Sequence, residues 1–197
     1  MSVPITVQKS GLIRKLAKLI FKMIGWQSYI ITPPTSSYVF IGAPHTTNWD
    51  LGILMLFATA NKVPVHWMGK DTLFKGPLGF IIRALGGIPV NRSARSNFVD
   101  QAAEMFSKED ELIIAMAPEG TRGKTTRWRT GFYYIALKAK VPIVMAYLDY
   151  KKKICGLGPA IIPTGDINTD FEKIKDFYKD FTGKYPEKQG EIKLTED

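Results

Sequence analysis

His45 and Asp50 lie five residues apart in Ala43-Pro44-His45-Thr46-Thr47-Asn48-Trp49-Asp50, and the first 49 residues hold no other acid. A carboxylate bound to one ring nitrogen of a neutral imidazole fixes its tautomer and stabilises the imidazolium, leaving the second nitrogen to take a proton from an alcohol. That is the general-base half of an acyl transfer to a hydroxyl. The same spacing also suits a histidine that buttresses a helix beside an ordinary surface acid, so the elements around the pair have to decide.

Tyr38 to Ala43 is a short β-branched and aromatic run closed by Gly42 and Pro44, which predicts a buried strand. Thr46, Thr47 and Asn48 are helix-capping types, and Leu51 to Ala60 is an apolar run of helix formers. The pair therefore falls on a strand-to-helix turn. At ~100° per residue, five positions within one helix would separate the side chains by ~140°, so His45 belongs in the loop and Asp50 in the first turn. Free helix N–H groups at that point attract an anion.

Further along, Val63 to Met68, Gly87 to Asn91, Glu111 to Ala117 and Val141 to Tyr147 read as strands, with shorter segments near Ile154 and Ile161. Leu73 to Leu85, Phe98 to Phe106 and Gly131 to Ala139 read as helices between them. This alternation predicts an α/β fold, a mainly parallel sheet flanked by helices, whose active site gathers at the carboxyl ends of the strands. Three polar clusters fall at such ends: Lys70, Asn91-Arg92, and Pro118-Glu119-Gly120-Thr121-Arg122. Arg92, Arg122 and Lys70 near a helix N-terminus would suit a phosphate, and Gly120 would let backbone approach a ligand. Each also has a plainer reading, as surface charges or as a Glu119–Arg122 pair. Backbone N–H groups near His45 or Gly120 are candidate donors to an oxyanion. His66, between Val65 and Trp67, reads as a packed strand residue.

The 197 residues, 45% hydrophobic and without an internal repeat or linker, can bury one core. Lone Cys155 excludes an internal disulfide, and two histidines leave little for a metal cluster. The net charge of +9 is concentrated early, at Lys9, Arg14, Lys15, Lys18 and Lys22. From Leu12 to Ile24 the apolar residues Leu12, Ile13, Leu16, Leu19, Ile20, Met23 and Ile24 take one side of a helix and the cations the other. This N-terminal amphipathic helix is too charged to span a bilayer. It either lies in a lipid interface or packs on the protein's own core, and Trp26 and Tyr29 just after it favour the interface. No nucleic-acid recognition motif accompanies the charge.

Taken together, the blocks resemble a known family. Ala43 to Asp50 is similar to the H-x4-D motif of the glycerolipid acyltransferases, Gly87-Ile88-Pro89-Val90-Asn91-Arg92 to their second block, Pro118 to Arg122 to the E-G-T-R block, and Val141-Pro142-Ile143-Val144 to the fourth. The family includes the 1-acyl-glycerol-3-phosphate acyltransferases. The resemblance implies the glycerolipid acyltransferase fold, with His45 and Asp50 catalytic and Lys70, Arg92, Glu119, Gly120, Thr121 and Arg122 binding substrate. It implies acyl-CoA or acyl carrier protein as co-substrate, no cofactor or metal, a lysophospholipid acceptor, and residence at the cytoplasmic face of the cell membrane as a peripheral or monotopic protein. The expected division is an interface helix and lead-in over 1–30, an acyltransferase domain over 31–185 and a polar tail over 186–197. Two departures bear on the acceptor. The second block has Pro89-Val90-Asn91-Arg92 where relatives often read aromatic-x-Asp-Arg, and the fourth continues into Met145 instead of proline. An amino-acid lipid or a glycolipid therefore stays open as acceptor, and a noncatalytic membrane-binding protein, which would use the same helix and fold without His45, is the other reading.

Overall fold

The computed structural model describes residues 11–76, 79–90 and 95–194. Among these, seven strands form one sheet: β1 (Gln27–Ile30), β2 (Tyr38–Ala43), β3 (Val65–Lys70), β4 (Gly87–Val90), β5 (Ile113–Met116), β6 (Ile143–Asp149) and β7 (Ile154–Ile161). Their order is β1-β7-β6-β2-β5-β3-β4. Strands β6, β2, β5, β3 and β4 are parallel, whereas β7 returns antiparallel to β6 and carries β1 parallel to itself. β2 is the middle strand, flanked by β5 and β6 in registers that pair Ile41 with Met116 and Ala43 with Tyr147. The loops leaving these three strands thus emerge side by side at the sheet's carboxyl edge.

Because successive strand side chains alternate, each face of the sheet has its own core. On one face Val39, Ile41, Ile114, Ile143 and Met145 pack with Ala102 and Met105 of α4 (Arg95–Lys108), Phe132, Tyr133 and Ile135 of α5 (Gly131–Ala139), and Phe171, Ile174 and Tyr178 of α6 (Ile167–Tyr178). On the other, Tyr38, Phe40, Ile113, Val144, Cys155 and Leu157 pack with Phe21 of α1 (Gly11–Met23), Trp26, and Phe57 and Ala58 of α2 (Trp49–Asn61). Cys155 is a core residue whose thiol is pushed up by burial, which makes it an unreactive packing group.

Helix α1 contacts α2, yet only Ala17 and Phe21 of its residues are buried. Leu12, Ile13, Leu16, Leu19, Ile20 and Met23 are exposed. At ~100° per residue the buried pair takes one edge of a wide apolar stripe, with Arg14, Lys18 and Lys22 beyond it on the opposite side. Arg14 Nε anchors that side by donating to Ala60 O at 3.2 Å. Helix α2 is apolar all round, and Ile53, Leu54, Met55 and Leu56 on it are only half-buried.

The helix expected over Leu73 to Leu85 is broken. Asp71–Phe74 is a single 3-10 turn, Gly76 has a φ of +95°, and α3 covers only Gly79–Ala84. A β-carbon on Gly79 would stand 2.2 Å from the Phe74 carbonyl oxygen, so the chain doubles back tightly where the apolar periodicity suggests a continuous rod. β1 and α6 are additions to the expected elements. The weak signals near Ile154 and Ile161 are one eight-residue strand.

Candidate active site

β2 ends at Ala43, and the chain passes through Pro44 into the loop that starts α2 at Trp49. His45 is therefore in the loop and Asp50 is the second residue of the helix, the arrangement that the five-residue spacing requires. Their side chains meet, His45 Nδ1 lying 2.9 Å from Asp50 Oδ2. A carboxylate only accepts, so Nδ1 carries the hydrogen, and in the neutral imidazole Nε2 keeps its lone pair. The His45 side chain is about one-quarter exposed and that of Asp50 is buried. A partly open base is thus held by an enclosed acid.

The anion drawn to this helix start is the chain's own. Asp50 Oδ2 also accepts from the backbone N–H groups of Thr46 and Thr47 at 2.9 and 3.0 Å. Its second oxygen, Oδ1, accepts from the Tyr150 hydroxyl at 2.7 Å. Four donors therefore converge on one buried carboxylate, about the number its lone pairs can take.

Glu119 follows β5, whose end lies next to that of β2, and its Oε1 accepts from the His45 backbone N–H at 3.0 Å. The side chain is buried and Oε2 has no hydrogen-bond partner among the described residues. Burial pushes the carboxyl up to about 7, against the pull of the His45 N–H. Behind it lies a cavity of about 20 Å³ lined by Pro44, Trp128, Tyr178, Gln189, Gly190 and Ile192. Residues 189–192, expected in a polar tail, thus help to enclose Glu119. Nearby, the Tyr185 N–H donates to Thr46 Oγ1 at 3.2 Å, so the residue just before that tail supports the His45 loop.

The remaining candidates separate. Arg122 joins the dyad loop, its Nη1 donating to Asn48 Oδ1. Thr121 is exposed, and its hydroxyl accepts from the Gly123 N–H at 3.2 Å within its own turn. Gly120 has a φ of +66°, and a β-carbon there would stand 2.6 Å from Arg129 Nε, so the group that approaches closely is Arg129 rather than a ligand. Lys70 is exposed at the end of β3, separated from β2 by β5, about 10 Å at ordinary strand spacing. Arg92 lies outside the described residues. His66 is buried in β3, as expected of a packed residue. The expected oxyanion donors are occupied: the backbone N–H groups of His45, Thr46 and Thr47 are taken by Glu119 and Asp50, and that of Gly120 donates to Ala117 O.

Two contributors escape sequence reasoning. Tyr150 is 100 residues from Asp50 and outside every block, and Arg129 has no spacing that ties it to Gly120. Only the position of Tyr150 just after β6, at the same edge of the sheet, hints at proximity.

Comparisons with known proteins identify the family. The chain is 32% identical over 116 residues to 1-acyl-sn-glycerol-3-phosphate acyltransferase of Haemophilus influenzae, covering 55% of this chain and 46% of that protein. It is 32% identical over 80 residues to human 1-acyl-sn-glycerol-3-phosphate acyltransferase beta, covering 38% and 29%. The chain thus spans less than half the length of these curated relatives. The crystal structure of the 1-acyl-sn-glycerophosphate (LPA) acyltransferase PlsC from Thermotoga maritima superposes with a TM-score of 0.58 at 18% identity, over 88% of this chain and 80% of that one, and so shares the fold. The acyltransferase family model matches residues 30–148, the stretch that contains the dyad, Glu119 and Arg122, and the chain belongs to that family.

Proposed function

We propose that this protein is an O-acyltransferase that moves a fatty acyl group from a thioester, acyl-CoA or acyl carrier protein, to the hydroxyl of a lysophospholipid such as 1-acyl-glycerol-3-phosphate at a membrane surface. The observation that carries the reading is the His45–Asp50 pair, with Nδ1 tied to a saturated carboxylate and Nε2 left to act. Nε2 takes the proton of the acceptor hydroxyl as that oxygen attacks the thioester carbonyl. The imidazolium is stabilised by Asp50, and the tetrahedral oxyanion collapses and expels the thiolate, which the imidazolium protonates. No acyl-enzyme is required. Arg122, tied to Asn48 of the dyad loop, is on this reading the cation that meets an acceptor phosphate, and its nearness to the dyad supports that role.

The membrane part rests on α1. Its exposed apolar stripe lies beside Lys15, Lys18 and Lys22, which suits a helix lying flat among anionic headgroups. No helix among the described residues is long and apolar enough to cross a bilayer. Purified protein incubated with acyl-CoA or acyl carrier protein thioester and 1-acyl-glycerol-3-phosphate should release thiol and form the diacyl product, read by mass spectrometry. His45→Ala should lose about 10²- to 10⁴-fold. Equal turnover by wild type and His45→Ala would refute the mechanism, and transfer only to a phosphate-free lyso-lipid would replace the acceptor.

A further inference from the structure

Tyr150 belongs to none of the four blocks, yet its hydroxyl donates to the Asp50 oxygen that faces away from His45. Three donors crowd Oδ2, and Oδ1 receives this one. In a buried carboxylate an unpartnered oxygen is costly, and turning toward other donors is one way to relieve that cost. Rotation would carry Oδ2 away from Nδ1. The phenol is well placed to prevent this, because it is itself fixed. Its backbone N–H donates to Thr182 O at 2.8 Å, its ring stands edge-on to buried Trp26 with centroids 5.0 Å apart, and the neighbouring Asp149 binds the N–H groups of Lys151 and Lys152. Burial raises the phenol far above its ordinary range, so it stays a donor.

We propose that Tyr150 is a positioning residue of the acyl-transfer site, which acts through Asp50 by locking the carboxylate that orients His45. The role rests on the acyltransferase reading above. Tyr150 touches no reacting atom, and its effect is confined to turnover and does not extend to substrate affinity.

Tyr150→Phe keeps the ring against Trp26 and deletes the hydroxyl, so thermal unfolding should show a folded protein. Its kcat should fall about 10- to 100-fold with KM for thioester and acceptor within twofold. In an Asp50→Asn background the same change should cost less than twofold, since the carboxylate it serves is gone. A kcat within twofold of wild type, equal losses in both backgrounds, or a loss confined to KM overturns the proposal. Proton NMR of the His45 Nδ1–H gives an activity-independent reading: its downfield resonance should shift or broaden in Tyr150→Phe, and an unchanged resonance overturns the proposal as well. Retained activity in His45→Ala would instead defeat the general-base reading, so the two failures are distinct.

Discussion

The stability of Glu119→Gln relative to wild type should rise as the pH goes from 4.5 to 8. The carboxyl titrates near pH 7 in the folded protein and near 4.5 in the unfolded chain, so below pH 4.5 both states carry the proton. Between these values the unfolded chain ionises first and the folded chain holds its proton, and stability falls as pH rises. Above pH 7 both are ionised, and the folded state carries the full cost of a buried charge. A displacement of about 2.5 pH units corresponds to about 3 kcal/mol, and for a chain of this size to roughly 6–12 °C in melting temperature. The replacement amide keeps an oxygen for the His45 N–H and has no charge to desolvate. Its NH₂ group needs an acceptor in the small cavity behind it, and if it finds none a pH-independent cost of about 1–3 kcal/mol is superimposed. The informative quantity is therefore how the stability difference between variant and wild type changes with pH. Urea unfolding of both proteins at pH 4.5, 6 and 8 measures it. A difference that stays constant across these pH values, or that turns against the variant as pH rises, would refute the buried-charge argument.

Two other outcomes follow from the site and from α1. Arg122→Ala should raise the acceptor's KM about 10- to 100-fold and the donor's much less, as expected for a charge-assisted contact of about 1.5–3 kcal/mol, and steady-state kinetics that move only the donor would assign the guanidinium to the thioester carrier. Replacing Lys15, Lys18 and Lys22 by glutamate should release the protein from anionic vesicles in a salt-sensitive way, at about 1 kcal/mol per cation, whereas serine at Leu16, Leu19 and Ile20 should release it without salt dependence. Because those three leucine and isoleucine side chains are exposed, the serine variant should melt close to wild type, and unchanged flotation with a clearly lowered melting point would make α1 a core helix.

What the sequence discloses here depends on how far apart the interacting residues lie. His45 and Asp50 are legible because both partners sit within six residues, between a short β-branched and aromatic run and an apolar run of helix formers. Glu119 is visible as a member of a block, but its partner is not, because the bond to the His45 backbone exists only once β5 lies beside β2. Tyr150 is harder still: its approach to Asp50 depends on β6 pairing with β2 and on the turn that follows, neither of which leaves a mark near residue 150. Gly120 misleads in the other direction, since a glycine that admits Arg129 and one that admits a ligand look alike. The break at Gly76 and Gly79 is hidden by an apolar run whose spacing suits a helix. The capping pattern of α6, where Asp166 accepts from the Asn168 and Thr169 N–H groups, is readable from its residue types once looked for.

The His45 loop is supported by residues that reach it from far along the chain: Glu119, Tyr150, and finally Tyr185, whose N–H meets Thr46 across 139 residues. On a ribosome these arrive in turn. At roughly 5–20 residues per second, about 7–28 s pass between the synthesis of Thr46 and that of its last partner. Helix α1 and the dyad sequence emerge well before the supports of the base. On the membrane role proposed for α1, a nascent chain can fold that helix against lipid while its catalyst is still unfinished, so that docking precedes the ability to react.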